Sequence, residues 1–209
     1  MTEEAEREER KILIAEDDEA LRSMLQSSLE MRDFTVVAAD CRESALAQLK
    51  NNPDIQVMLI DLGLPPAAHN TDEGIALIKN IVASNSSAKI IVLTGQDEES
   101  AALAAIREGA FDFLAKPASL EKILQSLGRA FLFVRQEINM SADGLTRLQI
   151  NARIADGLKA VREDAEEKLV RQVLKDTEFN VYQSAARLGI KRESVYYFLK
   201  KFGIQRDTE

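Results

Sequence analysis

The sequence predicts an α/β fold, a (βα)5 unit with a doubly wound parallel sheet, followed by a small all-α unit. Three observations carry this. Five short, nearly continuous apolar runs alternate with stretches of helical apolar periodicity between residues 11 and 134. The acidic and other polar residues that punctuate those runs follow them rather than precede them. Charge also divides along the chain: residues 1–140 hold 14 Lys and Arg against 24 Asp and Glu, a net of −10, whereas residues 141–209 hold 13 against 11, a net of +2.

The elements follow in order. Lys11–Ala15 (KILIA) reads as a buried strand, and Asp18–Met31 as a helix with Leu21, Met24, Leu25 and Leu29 on one face. Phe34–Ala38 is a second strand; Asp40 is placed to cap the next helix, whose inner face is Ala45, Leu46 and Leu49. Ile55–Ile60 (IQVMLI) is a third strand, followed by a helix over Glu73–Ala83 with Ile75, Leu77, Ile78 and Ile81 apolar. Lys89–Leu93 is a fourth strand, Glu98–Arg107 a helix of small residues, Phe111–Leu114 a fifth strand, and a long helix starts at Ser119. Strands apolar at almost every position belong to a parallel sheet covered on both faces. The last helix carries Leu120, Ile123, Leu124 and Leu127, then Phe131, Leu132, Phe133 and Val134 in succession. Four consecutive apolar residues cannot all face one sheet, so a partner surface, on another subunit or on the second domain, is expected there.

Residues 139–160 read as a partly helical linker with a break at Asp143-Gly144. Asp164–Thr177 is a helix with Leu169, Val170, Val173 and Leu174 apolar. A short helix within NVYQSAARLGI packs Ala185, Ala186 and Leu188 inward, and Gly189 permits a tight turn. The final helix lies within KRESVYYFLKKFG, with Val195, Leu199 and Phe202 facing inward. Lys191, Arg192, Ser194, Tyr196, Tyr197 and Lys200 are left facing outward. Between 180 and 206 six basic residues, Arg206 the last of them, face Glu193 alone. A basic, hydroxyl-bearing outer face beginning at a helix N-terminus suits a DNA major groove, and it equally suits a plain three-helix bundle with a solvated basic surface.

Composition narrows the class. With 45% hydrophobic residues the chain has ample core for a packed fold, which excludes wholesale disorder. No apolar stretch is long enough to span a bilayer and the start (MTEEAEREER) is acidic rather than signal-like, so a cytoplasmic protein without membrane contact is expected. Cys41 is the single cysteine, which rules out an intrachain disulfide and a cysteine-based zinc site.

In a parallel α/β sheet, ligands bind beyond the carboxyl ends of the strands. Glu16, Asp17 and Asp18 directly follow the first strand, Asp61 ends the third, Thr94 the fourth and Lys116-Pro117 the fifth. The carboxylates of Glu16, Asp17 and Asp61 should therefore converge, and such a cluster requires a cation. Oxygen ligands without His or Cys suit Mg²⁺, and Lys116 supplies a fixed positive charge suited to phosphoryl oxygens.

These residues, in the strings ILIAEDDEALR, VMLIDLGLPP, KIIVLTG and GAFDFLAKP, resemble the receiver domain of two-component response regulators, which is flavodoxin-like. The resemblance covers about residues 10–138. It implies that Asp61 is the phosphoacceptor for a sensor histidine kinase, and that Glu16, Asp17 and Asp61 hold Mg²⁺ with the carbonyl of Gly63. By the same resemblance Thr94 bonds the phosphoryl group, Gly95 keeps that approach open, and Phe113 is the aromatic switch. Asp18 is expected to be a helix-start residue rather than a ligand. The loop LGLPPAAHNTDEG is several residues longer than the common receiver version, and its His69, the chain's one histidine, is expected in solvent.

The run EKLVRQVLKDTEFNVYQSAARLGIKRESVYYFLKKFGI resembles, over about residues 160–206, the Fis-type helix-turn-helix that ends NtrC-type regulators, which implies a DNA-binding domain over 161–209. On that resemblance Arg192, Ser194 and Tyr196 reach base edges, while Asn180, Lys191, Tyr197 and Lys200 touch phosphates. NtrC-type proteins carry an AAA+ ATPase between these domains, but no G-x-x-x-x-G-K-[ST] phosphate loop occurs here and 139–160 is too short to hold one. The layout is similar to compact receiver-plus-Fis regulators of the PrrA/RegA kind. The implied function is Mg-dependent phosphorylation that drives homodimerisation and binding to double-stranded DNA. A receiver-coupled RNA-binding antiterminator and a protein-binding signalling adaptor remain alternatives. No nucleophile–base pair beyond the phosphoacceptor site is visible, so enzymatic action on a small molecule is not expected; self-dephosphorylation is the one hydrolysis open to the chain.

Overall fold

The computed structural model describes residues 10–84, 87–95, 98–142, 145, 148 and 157–205. The Asp143-Gly144 break, the basic Arg206 and most of the expected 139–160 linker lie outside the described residues. The chain divides into two compact units, Met1–Leu145 and Thr146–Glu209.

The first unit is built from β1 (Arg10–Ala15), α1 (Glu19–Glu30), β2 (Phe34–Ala39), α2 (Arg42–Asn51), β3 (Val57–Ile60), α3 (Asp72–Ala83), β4 (Lys89–Thr94), α4 (Glu98–Glu108), β5 (Asp112–Ala115) and α5 (Leu120–Ala142). All four strand pairings are parallel and the order is β2-β1-β3-β4-β5. Strand side chains alternate between two cores, as the period of two requires. Leu13, Ala15, Met58, Ile60, Ile90 and Val92 pack with α2, α3 and α4 through Ala45, Leu77, Ile78, Ile81, Ala101 and Ala105. Ile12, Ile14, Val57, Leu59, Ile91 and Leu93 pack with α1 and α5 through Leu25, Leu29, Ile123, Leu127 and Ala130. Both faces are covered, which explains why these strands read as unbroken apolar runs. Removing a buried Leu or Ile side chain from water contributes about 1.5–3 kcal/mol each. The order of strands reverses between β1 and β3, so a crevice opens beyond their carboxyl ends.

Several local expectations shift. The α2 N-cap is Cys41, whose Sγ accepts the Ser44 N–H, while the Ser44 hydroxyl lies 2.8 Å from Oδ1 of Asp40, one residue outside the helix. Met24, expected on the inner face of α1, is 55% exposed and points away from the sheet. The apolar cluster of α5 splits: Phe131 stacks on Phe34 and Val134 is buried, Phe133 is partly exposed and sets its ring edge-on against Phe111, and Leu132 stays exposed. α5 also runs on to Ala142, through the first residues of the expected linker. At its base, the Asp112 carboxylate on β5 accepts hydrogen bonds from Ser126 and Arg129 of α5.

The second unit contains α6 (Gly157–Asp176), α7 (Val181–Leu188) and α8 (Arg192–Lys201). Val170, Leu174, Ala185, Val195 and Ile204 form its core, with Leu188, Phe198, Leu199 and Phe202 packed around them. α6 begins at Gly157, seven residues before the expected start, because its first turns are exposed and carry no apolar stripe to read. Ala186 is exposed, against expectation, and Ser184 takes the inner position. A hydroxyl fits there because Ser184 Oγ lies 2.7 Å from Thr177 Oγ1, both side chains being buried. The α7–α8 turn passes through Gly189 at φ 66°, a left-handed conformation that glycine adopts without steric cost.

Candidate phosphoacceptor site and nucleic-acid interface

The acidic crevice forms because β1 and β3 end level with each other, and β4 and β5 end level two residues further along. Ala15 pairs with Ile60 across β1 and β3, and Thr94 with Ala115 across β4 and β5, so the residues that follow emerge on one edge. The Asp61 N–H bonds the Ala15 carbonyl at 2.8 Å, which extends the ladder one step and locks Asp61 beside Glu16. One carboxylate oxygen each from Glu16, Asp17 and Asp61 lies within 4.8 Å of the others. Glu16 and Asp61 are buried, Asp17 less so. Lys116 Nζ donates to both oxygens of Glu16, at 2.9 and 2.7 Å, and to Oδ2 of Asp61 at 2.7 Å. Asp61 Oδ1 accepts from the Gly63 N–H at 3.2 Å.

The electrostatics follow from one cation serving three acids. Burial pushes the Glu16 carboxyl up to about 7; the Lys116 hydrogen bond and charge oppose this, and the charges of Asp61 and Asp17 add to it. Burial alone would lower Lys116, but its hydrogen bonds to Asp61 and Glu16 outweigh that and hold the ammonium above its ordinary value. With all three acids ionised the pocket holds a net charge of about −2, which a hard dication would neutralise. The donor set fits Mg²⁺: three carboxylates, no nitrogen or sulfur, and a spread close to that of oxygens about 2.1 Å from a common centre.

Around this cluster Thr94 is fully buried at the end of β4, and its carbonyl accepts from the Lys116 N–H at 2.9 Å. Phe113, half-buried in β5, packs against the core under α3 and α4. A Cβ on Gly95 would meet the Lys116 Cβ at 3.7 Å, an ordinary contact, so the room expected from this glycine is not demanded by packing in this state. Asp18 caps α1 by accepting the Leu21 N–H, and His69 is exposed. Two participants were not singled out from the sequence. Gly74, at the start of α3, lies against the backbone of Leu62. Arg22 Nη1 donates to the main-chain carbonyls of Glu16 and Asp17 at 2.6 and 3.1 Å.

In the second unit Lys191, Arg192, Tyr196, Tyr197 and Lys200 are exposed, and Ser194 is half-buried. Lys191 is the α8 N-cap residue and makes no side-chain cap. The Tyr197 ring rests edge-on against Phe198. Asn180, expected at a phosphate, spends its amide oxygen on capping α7, accepting from Tyr182 and Gln183 at 3.1 Å each, which leaves only its amide nitrogen to donate. An open groove lies between α7 and the start of α8, lined by Tyr182, Ala186, Lys191, Arg192 and Glu193.

A five-stranded parallel sheet bearing three acids and a lysine at its carboxyl edge defines the class: the chain belongs to the response regulator receiver domain family, which matches residues 12–128. Residues 161–202 match the bacterial regulatory protein, Fis family. Residues 129–160 alone separate the two matches, too few for an AAA+ ATPase between them. The chain is related to NtrC-type regulators such as the C4-dicarboxylate transport transcriptional regulatory protein DctD of Rhizobium meliloti, 29% identical over 93% of this chain and 41% of DctD. It is also similar to the two-component response regulator PprB of Pseudomonas aeruginosa, 30% identical over 73% of this chain and 55% of PprB. The chain thus spans about half the length of these curated relatives. Among solved structures, a response regulator from Burkholderia pseudomallei with a phosphorylated aspartic acid, calcium ion and citrate covers 90% of this chain and 97% of its own, at TM-score 0.51 and 25% identity. Among the described residues no helix is long and apolar enough to cross a membrane.

Proposed function

We propose that this chain is a DNA-binding transcriptional response regulator of the cytoplasm, phosphorylated on Asp61 by a sensor histidine kinase. The observation that carries the reading is Lys116 Nζ set 2.7 Å from Asp61 Oδ2 and 2.7 Å from Glu16 Oε2, with an Asp17 carboxylate oxygen within 4.8 Å of those of both acids. A carboxylate oxygen of Asp61 attacks the phosphorus of a phosphohistidine, the O–P bond forms, the N–P bond breaks, and the imidazole leaves with the electron pair. Glu16, Asp17, Asp61 and the Gly63 carbonyl would hold Mg²⁺, which when bound offsets negative charge on the phosphoryl oxygens. Lys116 follows the new phosphate with its ammonium, and Thr94 offers its hydroxyl from the neighbouring strand end. Phe113, one strand position beyond Asp112, is the side chain that Thr94 would draw inward.

Phosphorylation then favours a homodimer, and the exposed apolar residues Leu132 and Ile138 of α5 support a shared face. Two helix-turn-helix units in a two-fold dimer read half-sites about 34 Å apart on double-stranded DNA. Arg192, Ser194 and Tyr196 meet base edges; Lys191, Tyr197, Lys200 and the Asn180 amide nitrogen meet phosphates. The test is phosphorylation by a small acyl phosphate with Mg²⁺, read by mobility shift, followed by selection of genomic fragments. Wild type should be modified and should retain duplex DNA more tightly once modified, and Asp61→Asn should do neither. Modification undiminished in Asp61→Asn, or preference for structured RNA over duplex DNA, would overturn the reading.

A further inference from the structure

The two acids of the β1–α1 loop need an external restraint. β1 ends at Ala15 and Asp18 already caps α1, so only Glu16 and Asp17 make the turn. The ladder secures the front of this turn: the Glu16 N–H bonds the Ala39 carbonyl and the Ala15 carbonyl accepts from Asp61. At its end, the Asp18 carbonyl accepts from the Arg22 N–H in the first turn of α1. Between these lie the carbonyls of Glu16 and Asp17, on residues that belong to neither β1 nor α1. A single guanidinium nitrogen, Arg22 Nη1, takes both, at 2.6 and 3.1 Å, in a half-buried position. The carboxylates on the same two residues crowd Asp61 within 4.8 Å and repel it, so nothing in the acids themselves favours this turn.

We propose that Arg22 is a positioning residue of the phosphoacceptor site, clamping the main chain of Glu16 and Asp17 so that their carboxylates stay convergent on Asp61. The proposal rests on the reading of Glu16 and Asp17 as metal ligands. Arginine suits the role because it stays charged at every working pH and presents its donors in a fixed fork, which a lysine ammonium does not. A hydrogen-bond partner one shell out from a metal commonly governs affinity by about 10–100-fold when removed.

The experiment is Mg²⁺ titration of the full chain, labelled with ¹⁵N, in wild type, Arg22→Ala, Arg22→Gln and Arg22→Lys. It follows the backbone amides of Asp17, Asp61 and Gly63, with thermal unfolding of each metal-free variant alongside. Wild type should saturate, Ala and Gln should bind about 10-fold or more weakly, and Lys should recover part of the loss. In metal-free protein the Asp17 and Asp18 amides should move in the Ala and Gln variants while the amides of β3 and β4 stay put. Wild type that fails to bind Mg²⁺ would sink the metal-site reading itself. Wild type that binds, with Arg22→Ala and Arg22→Gln within twofold of it, would overturn the clamp alone. Affinity lost only together with dispersion across the whole sheet, in Lys as in Ala, would likewise overturn it in favour of a general folding role.

Discussion

A Cβ built on Gly74 would lie 2.3 Å from the Cα of Leu62 and 2.8 Å from its carbonyl oxygen, so the first turn of α3 is pressed directly onto the backbone that leaves Asp61. The Gly74 N–H bonds that carbonyl at 3.2 Å, closing the long loop after β3. The constraint is one of space, because the contact is with main chain, which cannot swing aside as a side-chain tip could. Gly74→Ala should therefore cost about 1–3 kcal/mol of stability, read as a lower denaturant midpoint, and should slow phosphorylation because Asp61 shifts with Leu62. An alanine variant as stable and as readily modified as wild type would contradict the close approach.

The charge balance of the pocket predicts the behaviour of Lys116. Lys116→Met removes the cation from between Glu16 and Asp61, leaving two buried carboxylates in contact range. Metal-free protein should then melt earlier than wild type, and added Mg²⁺ should raise its melting temperature by more than it raises that of wild type. Equal Mg²⁺ responses in the two proteins would show that Lys116 and the metal do not share the same acids.

Glu16 makes the site sensitive to pH in a definite direction. Its folded carboxyl titrates near 7 against an ordinary value of 4.5, so the folded chain holds this proton more tightly than the unfolded one. The associated stability is complete below about pH 4.5 and is lost as pH rises through about 7. Metal-free wild type should lose stability between pH 5 and about 7.5 relative to Glu16→Gln, and Mg²⁺ affinity should rise over the same interval because the metal needs the carboxylate. Parallel stability profiles for the two proteins would place the proton elsewhere.

The Thr177–Ser184 hydroxyl pair joins α6 to α7 inside the second unit. All three tyrosines, Tyr182, Tyr196 and Tyr197, lie in this unit and the chain has no Trp, so tyrosine emission reports its unfolding separately. Thr177→Val or Ser184→Ala alone should cost about 1 kcal/mol, since each removes the bond between the hydroxyls and leaves the buried partner with its main-chain carbonyl alone. The double variant should cost less than the two combined, with a coupling of at least about 0.5 kcal/mol. Strict additivity would mean that the two hydroxyls are satisfied independently, through the Val173 and Asn180 carbonyls that they also reach.

For the basic helix, Arg192→Ala should cost about 1–3 kcal/mol and relax preference at one base position, whereas Lys200→Ala should weaken binding evenly and reduce the salt slope by about one. Binding isotherms on a selected fragment at several salt concentrations separate the two. Arg192→Ala that left sequence preference untouched would mean that α8 enters the groove in a different orientation.

The sheet and its acids were legible because both depend on local pattern: strands buried on two faces must be apolar throughout, and Asp61 and Lys116 stand directly at strand ends. What escaped reading depends on partners distant in sequence or weak in type. Cys41 caps α2 through sulfur, a poor acceptor, so the better oxygen of Asp40 was expected there. Ser184 rather than Ala186 turns inward because Thr177 answers its hydroxyl, a pairing that polarity alone argues against. Arg22 looks like any solvated helix charge until the carbonyls it serves are seen, and Gly74 shows its reason only once α3 is laid against Leu62.

α5 continues for eight residues past Val134, the last apolar side chain of the helix that is buried among the described residues, and at 23 residues it is a rod about 35 Å long. The grip of Asp112 on Ser126 and Arg129 serves as its fulcrum, one residue from Phe113. From Arg129 to Ala142 the lever arm is about 20 Å, so a rocking of about 10° at that fulcrum would carry the far tip through roughly 3–4 Å.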